Sequence, residues 1–327
     1  MVAKIWGFVV LVMLWGGVCF GADEMAAERA KLEKICSIKD DLVYKRIGGI
    51  ELKASVLAGK GQWDKKSAAV IFVHGGGWYS NTRDEMYVPR FTGVVERLIK
   101  ADVKVVSFDY RLVRVTNSHF QPREKEMPLV GVSHGYAEIV RDCKDLVRWL
   151  YREGENFGID PQRMGSWGGS AGGHLALMMA YTRDNQFSGD AELADYPSDL
   201  RCAVSWYGTT EFVQQYDSMQ KVKGGPVPPL LGGLPEQVPG AYLQGSPFSY
   251  VRWDSAPVLL CHGKADPVVP FEQSVYLYER AVQVGAPVEF VEVENSGHNF
   301  MPRQGPIEPT LEQLHDLTAE FMIEHLK

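Results

Sequence analysis

The sequence lacks the features that define several classes of protein. It has only five cysteines, with no Cys-x-x-Cys pair and no Cys/His cluster at zinc spacing, so we predict no metal site and expect no cofactor. No block of Lys and Arg is long enough to follow a phosphate backbone, and 34 Lys and Arg against 41 Asp and Glu give a net charge of -7, so nucleic acid is not an expected partner. With 45% hydrophobic residues among 327, the composition is that of one large globular domain or two small ones.

The first residues have the pattern of a secretory signal. A lysine precedes an uncharged run over residues 5–20, and the small residues Cys19 and Gly21 suit positions -3 and -1 of a cleavage site. A retained anchor is one alternative, although 16 residues fall short of the roughly 20 that span a bilayer. Lipid modification of Cys19 is another. We expect a signal peptide over residues 1–21, a secreted or periplasmic protein over 22–327, and no stable membrane span after cleavage.

Export would place the remaining cysteines in an oxidising compartment. Four cysteines lie beyond the signal and allow three pairings: Cys36, Cys143, Cys202 and Cys261. Cys202 and Cys261 fall in apolar runs, where a buried free thiol that packs as a small hydrophobic group is favoured over a disulfide. The sequence leaves the pairing open.

The hydrophobic pattern indicates strands first at an edge and then in the interior of a sheet. Residues 41–44 and 51–56 alternate between apolar and polar, and Gly48-Gly49 between them offers a hairpin turn. Short continuous apolar runs, which are typical of strands buried on both faces, follow at residues 68–73, 103–108, 164–167, 202–207, 258–261 and 288–293.

Helical periods lie between these runs. Apolar residues recur every three or four positions over residues 136–150 and again over 311–322, where Thr310 and Gln313 form a candidate capping box. This alternation predicts an α/β fold with a mostly parallel sheet of about eight strands, covered by helices on both faces.

Two segments interrupt the alternation. Residues 113–132 are polar and irregular, and residues 211–250 carry several Gly and Pro pairs. Long loops inside a compact fold are usually lids or binding loops. We predict that the 211–250 segment is a small cap over the site; the alternative is a connection that does not contact substrate.

The sequence Gly-Gly-Ser-Ala-Gly-Gly at residues 168–173 is a candidate nucleophile motif. It is G-x-S-x-G between an apolar run that ends at Trp167 and a helical stretch. On such a tight, strained turn Ser170 would project above the sheet edge, and a side chain at Gly168 or Gly172 would crowd the neighbouring backbone. The alternative is a glycine-rich turn that only packs a helix on a strand.

A second glycine motif, His-Gly-Gly-Gly-Trp at residues 74–78, follows the strand at 68–73. A tetrahedral acyl intermediate carries an oxyanion, and glycine amides after this strand can point at it while the amide of Ala171 approaches from the other side. A flexible glycine loop is the alternative, and the order of the two motifs disfavours it.

A serine nucleophile requires a base and a group that orients the base. Asp266 lies just past one apolar strand and His298 just past the next, so both would emerge at the sheet edge that carries Ser170. Asp254 is a competitor for the acid but precedes its strand, and Glu294 precedes His298 too closely.

The other histidines have less specific positions. We interpret His74, His174 and His262 as structural, His74 through hydrogen bonds to its own loop. No role is assigned to the remaining histidines, which are His119, His134, His315 and His325.

Together these motifs resemble the α/β-hydrolase superfamily. Within it they are similar to carboxylesterases with a His-Gly-Gly-Gly-Trp motif, including acetylxylan and feruloyl esterase-like members and the hormone-sensitive lipase group. The matching stretches are residues 74–78, 109–112, 142–143, 148–150, 168–173, 246–247, 262–267 and 297–298. The resemblance implies a single catalytic domain with the α/β-hydrolase fold, which we predict over residues 22–327. It further implies a Ser-Asp-His triad formed by Ser170, Asp266 and His298. It also implies oxyanion amides from Gly76, Gly77 and Ala171, with the Trp78 amide as an alternative.

The predicted function is that of a secreted serine hydrolase that cleaves carboxylic esters through an acyl-enzyme. The resemblance alone suggests a short acyl group, such as acetyl, on a carbohydrate or small alcohol. An exopeptidase or amidase with the same triad, and a non-catalytic binding protein on this fold, are the rival hypotheses. Four aromatic residues either stack on a sugar or fill the core: Trp78, Tyr79, Trp206 and Tyr207. The sequence indicates no oligomeric state.

Overall fold

The computed structural model describes residues 21–113, 135–219 and 226–327, and within these ranges the chain forms one eight-stranded sheet. The strands are β1 (Cys36–Ile47), β2 (Ile50–Gly59), β3 (Ser67–Val73), β4 (Lys104–Phe108), β5 (Ile159–Gly169), β6 (Cys202–Trp206), β7 (Val258–Gly263) and β8 (Val288–Val293). Their order is β1-β2-β4-β3-β5-β6-β7-β8. β1, β2 and β4 pair antiparallel and the remaining pairs are parallel, which confirms the predicted fold class.

Helices cover both faces of this sheet. They are α1 (Ala22–Leu32), α2 (Pro89–Lys100), α3 (Tyr136–Glu153), α4 (Ala171–Tyr181), α5 (Phe212–Met219), α6 (Val227–Leu231), α7 (Pro239–Gly245), α8 (Glu272–Val284) and α9 (Leu311–His325). α2 packs against α1 and α9, whereas α3 packs against α4 and β1. The predicted capping box of α9 is present. The side-chain oxygen of Gln313 accepts from the Thr310 backbone amide at 2.8 Å, and the Gln313 backbone amide donates to the Thr310 hydroxyl.

β1 and β2 form the predicted hairpin. Ile47 pairs with Ile50, and Gly48 and Gly49 between them have φ angles of 56° and 81°. A two-residue hairpin turn of this type needs positive φ at both positions, which glycine adopts without steric cost. The turn therefore follows directly from the Gly-Gly pair.

β3 explains why the inner strands are continuous apolar runs. Ile71 and Val73 pack into the core on one face of the sheet, and Val70 and Phe72 pack into the core on the other. Because successive side chains of a strand point to opposite faces, a strand covered by helices on both faces is apolar at every position.

β8 differs from the other predicted interior strands. It ends the sheet beside β7; Glu289 and Glu292 are exposed, and only Val293 is fully buried. The prediction of a fully buried strand is wrong here because an edge strand has one neighbour, and charged residues suit its open side.

The parallel strands place the candidate residues together. The loops after β3, β5, β7 and β8 lie at the same edge of the sheet and carry residues 74–78, Ser170, Asp266 and His298. The 211–250 segment follows β6 and contains α5, α6 and α7, so it is more helical than its Gly and Pro content indicated.

Some predictions fall outside the described residues. These are the signal peptide, apart from Gly21, the 113–132 segment after Val113, and His119 and His134. The division into a signal over 1–21 and one domain over 22–327 stays a prediction.

Candidate active site

Ser170 occupies a sharp turn between β5 and α4. Its φ and ψ angles are 57° and -123°, a backbone conformation that residues with a side chain rarely adopt. Its amide donates to Trp206 O at 2.9 Å and its carbonyl accepts from the His174 amide at 3.0 Å, which hold the turn in place. Such strain costs about 1–3 kcal/mol and persists only where the surrounding structure enforces it.

The glycines on both sides of Ser170 are required by close backbone approach. A Cβ atom at Gly168 would lie 2.4 Å from Val73 O, and a Cβ atom at Gly172 would lie 2.0 Å from the same oxygen. These separations are shorter than any van der Waals contact, so the predicted crowding is present.

The structure brings Ser170, Asp266 and His298 together in the predicted order. His298 Nε2 lies 3.1 Å from Ser170 Oγ, and His298 Nδ1 lies 2.7 Å from Asp266 Oδ2. The competitors do not take part: Asp254 pairs with Arg183, and Glu294 pairs with Lys264.

Asp266 is a fully buried carboxylate held by several donors. Besides His298, the amides of Val268 and Val269 donate to Oδ1 at 2.8 and 3.0 Å, and His262 Nε2 lies 3.5 Å from Oδ2. Burial alone would raise the pKa of Asp266, but the charge of His298 and the hydrogen bonds from His262 and His298 hold it well below its usual range. Asp266 is therefore ionised at neutral pH.

The ionised state of Asp266 determines the proton positions on His298. A carboxylate only accepts hydrogen bonds, so Nδ1 of His298 carries the proton that it donates to Asp266. In the neutral ring Nε2 then presents a lone pair to the Ser170 hydroxyl. The arrangement can therefore remove a proton from Ser170, and the His298 side chain, 13% exposed, can reach a bound molecule.

The oxyanion loop, residues 74–78, lies against the turn at Ser170. Gly76 and Gly77 have φ angles of 92° and 62°, and a Cβ at Gly75 would lie 2.9 Å from Gly169 O. Within the described residues, the amides of Gly76, Gly77 and Ala171 donate to no protein acceptor. They are available to a ligand, as is the amide of Trp78, which is also unpaired there.

The three histidines interpreted as structural are buried and hydrogen-bonded. His74 Nδ1 lies 3.0 Å from Gly75 O in its own loop. His174 accepts from Trp78 Nε1 at 3.1 Å and reaches the Gly245 carbonyl at 2.8 Å. His262 contacts the Ser274 hydroxyl and the Val269 carbonyl, and His315 on α9 reaches the Arg90 carbonyl.

The four aromatic candidates for sugar stacking differ in their exposure to solvent. Trp78, Trp206 and Tyr207 are buried, at most 4% exposed, so stacking on a ligand is ruled out for them. Tyr207 instead packs edge-on against the His298 ring at 4.8 Å. Of the four, only Tyr79 is partly exposed.

The 211–250 segment contacts the predicted oxyanion loop and α4, the helix that follows Ser170. Phe212 packs against Trp78 and His174 with ring centroids 5.5 and 4.9 Å apart, and Gly245 O bonds His174. These contacts place α5 and the end of α7 beside the predicted oxyanion amides.

Sequence reasoning missed the two amides that hold Asp266. Val268 and Val269 follow it by two and three residues, and an Asp side chain that accepts from such amides forms a common turn. The run Asp-Pro-Val-Val carries that signal.

Other kinds of site find no support in the described ranges. All four cysteines there are buried free thiols, and burial raises the pKa of the Cys202 thiol to about 12. In these ranges no group of three or more His, Cys, Asp or Glu side chains is arranged to hold a metal ion. Across the same ranges, every helix is too short or too polar to cross a membrane.

Comparisons with solved structures identify the fold. A truncated carbohydrate esterase from gut microbiota matches with a TM-score of 0.69 at 21% identity, over 89% of this chain and 96% of that one. The butyrate-bound thermophilic esterase Est2 of Thermogutta terrifontis matches with a TM-score of 0.67 at 23% identity, over 88% and 94%. The chain therefore has the α/β-hydrolase fold. Residues 129–281 of this chain also match the BD-FAE family model.

Curated proteins similar to this chain include esterases. Esterase LipC of Mycobacterium tuberculosis is 27% identical over 80% of this chain and 62% of its own length. Ethyl acetate hydrolase of Pseudomonas putida is 28% identical over 79% of this chain and 74% of its own length. The match to the probable carboxylic ester hydrolase LipM, 31% identical, covers 49% of this chain and 37% of that protein. The chain thus spans less than two thirds of the length of LipM and LipC.

Proposed function

We propose that this α/β-hydrolase is a serine carboxylic ester hydrolase that works through an acyl-enzyme. The observation that carries the proposal is the continuous path from Asp266 through His298 to Ser170, with separations of 2.7 and 3.1 Å. The unpaired amides beside this path and the esterases among the relatives support it.

In the first half of the proposed reaction, Ser170 Oγ attacks the ester carbonyl while its proton passes to His298 Nε2. Asp266 stabilises the imidazolium that forms. The tetrahedral intermediate collapses as His298 returns the proton to the departing alcohol, which leaves an acyl group on Ser170. Water then attacks this acyl group, His298 takes the proton of the water, and Ser170 leaves with that proton as the acid is released.

The oxyanion of both intermediates would lie against the amides of Gly76, Gly77 and Ala171. Donors aimed at a developing charge typically contribute about 3–4 kcal/mol each to stabilisation of the transition state. Glycine suits two of these positions because both have positive φ angles.

The proposed substrate is a short acyl ester, such as an acetate, of a carbohydrate or a small alcohol. The relatives named ethyl acetate hydrolase and carbohydrate esterase support this class. Of the four aromatic candidates, Tyr79 is the one that is partly exposed, and we propose that its ring contacts the alcohol part.

We also propose that the protein is secreted or periplasmic, on the pattern of its first 21 residues. Recovery of the protein from the periplasm or medium with Ala22 as its first residue would support this location. Recovery from the membrane with the full N-terminus would contradict it.

The test of the function compares wild type and Ser170→Ala on p-nitrophenyl acetate, butyrate and octanoate and on acetylated xylan. The proposal predicts Ser170-dependent hydrolysis that is fastest with acetate or butyrate, with acetate released from xylan. Ser170-dependent activity on nitrophenyl esters alone would keep the reaction and remove the carbohydrate substrate.

Two rivals are distinguished in the same experiment. Turnover of aminoacyl-nitroanilides without turnover of any ester would indicate an exopeptidase or amidase. No Ser170-dependent turnover of either class would indicate a binding protein on a hydrolase fold.

A further inference from the structure

Glu85 contacts the backbone of the oxyanion loop. It lies in a short 3-10 helix, Arg83–Tyr87, and its Oε2 accepts a hydrogen bond from the Gly75 amide. Its other carboxylate oxygen lies 3.2 Å from Arg90 Nη2, and the Glu85 and Arg90 side chains are only 9% and 12% exposed. The triad does not use this largely buried pair.

The peptide unit between His74 and Gly75 is held at both ends. Its N–H donates to Glu85, and its carbonyl accepts from the Tyr110 hydroxyl at 2.9 Å. Because a peptide unit is planar, two bonds at opposite ends leave little freedom to rotate.

The next two peptide units are held in place by hydrogen bonds to their carbonyl oxygens. The Gly75 carbonyl accepts from His74 Nδ1 at 3.0 Å, and the Gly76 carbonyl accepts from the Ser80 amide and hydroxyl at 3.1 and 2.9 Å. In a trans peptide the N–H points away from its carbonyl, so the amides of Gly76 and Gly77 are directed to the opposite side of the loop.

The position of Glu85 is itself fixed. The Arg83 amide donates to Asp109 Oδ1 at 2.9 Å, and the Arg83 carbonyl accepts from the Ser107 hydroxyl at 2.6 Å, so the 3-10 helix is joined to the end of β4. The Gly75 amide donates to the carboxylate of Glu85, and a hydrogen bond to a charged acceptor is roughly twice as strong as one to a neutral acceptor.

We propose that Glu85 is a positioning residue that holds the oxyanion loop at the correct distance from Ser170. The inference rests on the proposed ester hydrolase function, because it assigns the amides of Gly76 and Gly77 to the oxyanion. Glu85 acts through the backbone and does not contact substrate. Its loss would weaken transition-state stabilisation more than substrate binding, since the loop amides bind charge that develops only in the reaction.

The test compares Glu85→Ala and Glu85→Gln with Asp160→Ala as a matched control. Asp160 also accepts from one backbone amide and one arginine, but it lies at the opposite end of β5, so its loss should leave kcat unchanged. Each variant is assayed for kcat and KM on p-nitrophenyl acetate, affinity for a boronic acid transition-state analogue, and Tm.

We expect Glu85→Ala to lower kcat and analogue affinity together by about ten- to a hundredfold with KM within about threefold, since a displacement of about 1 Å can cost about a hundredfold. Glu85→Gln, which keeps a carbonyl acceptor, should recover most of kcat even if Glu85→Ala folds poorly. If the Glu85 variants keep the wild-type kcat while wild type is active, this inference is wrong and the function stands. If wild type hydrolyses no ester, the proposed function fails first.

Discussion

Two buried aspartates of this protein, Asp142 and Asp266, differ in what their partners can do. Neither side chain is exposed, and each carboxylate is surrounded by donors. Asp142 accepts from Lys45 at 2.7 Å and from Arg111 through two nitrogens at 2.7 and 2.9 Å. Asp266 accepts from two backbone amides and from His298.

The partners of Asp142 belong to a wider cluster, which we call the α3 charge cluster. It consists of Lys45, Arg111, Asp142, Asp145 and Arg148, and it connects β1, α3 and the end of β4. Its side chains are at most 6% exposed, and lysine and arginine side chains carry hydrogen-bond donors but no acceptor that could take a proton from a neighbour. His298 is different, because its second nitrogen reaches Ser170. Hydrogen-bond donors therefore compensate the burial of a carboxylate in both places, and only the histidine makes one of them a candidate for chemistry.

Asp266→Asn provides the largest expected effect. The substitution keeps the shape of the side chain but removes the charge that orients and stabilises the His298 ring, so kcat should fall about 10⁴-fold. Stopped assays on p-nitrophenyl acetate and thermal melts measure activity and stability on the same sample. A variant that keeps more than a tenth of wild-type kcat would remove Asp266 from the triad.

Asp142→Asn should lower the stability of the protein and leave its kcat nearly unchanged. It leaves Lys45 and Arg111 without their shared carboxylate, and breaking such a buried pair costs about 3–5 kcal/mol of unfolding free energy. Urea unfolding measures the loss, and kcat per folded molecule should stay near that of wild type. Equal losses of kcat in Asp142→Asn and Asp266→Asn would contradict the assignment of a structural role to the α3 charge cluster and a chemical role to Asp266.

His174 offers a smaller and pH-dependent test of the same distinction. It is buried beside the site, yet both its nitrogens are used, by Trp78 and by the Gly245 carbonyl. Burial lowers its pKa from 6.5 to about 4. Between pH 4 and 6.5, His174 is therefore protonated in the unfolded chain but not in the folded chain. Its contribution to stability is complete above pH 6.5 and is lost as the pH falls toward 4.

The lost stability for this one group is roughly 3 kcal/mol over that window. Urea midpoints of wild type and His174→Gln between pH 7 and 4 isolate it. The variant should be less stable at pH 7 and should show a shallower decline. Parallel curves would show that His174 does not titrate as its burial implies.

Much of the fold could be predicted from the sequence because its signals are local. The Gly48-Gly49 hairpin, the apolar run of β3 and the Thr310 capping box each depend on neighbours a few residues away. The order in which motifs follow strands was also enough to place Ser170, Asp266 and His298 at one edge, since parallel strands end together.

The rest depends on contacts that are remote in sequence. Trp206 and Tyr207 follow a strand as a ligand-stacking residue would, but they are buried. Glu85 is 10 residues from the glycine that it holds, in a turn that carries no motif. In the 211–250 segment, Phe212 at the start of α5 packs on Trp78 and His174, and no long periodic pattern marks this short helix in the sequence.

We propose above that Ser170 is a nucleophile activated by His298. The most direct test of this proposal is reaction of the folded protein with a fluorophosphonate probe, followed by mass spectrometry of the intact chain and its peptides. We expect one adduct per chain on Ser170, absent in Ser170→Ala and formed at least about a hundredfold more slowly in His298→Ala. An adduct on another residue, or labelling of Ser170 that is as fast without His298, would contradict the proposal.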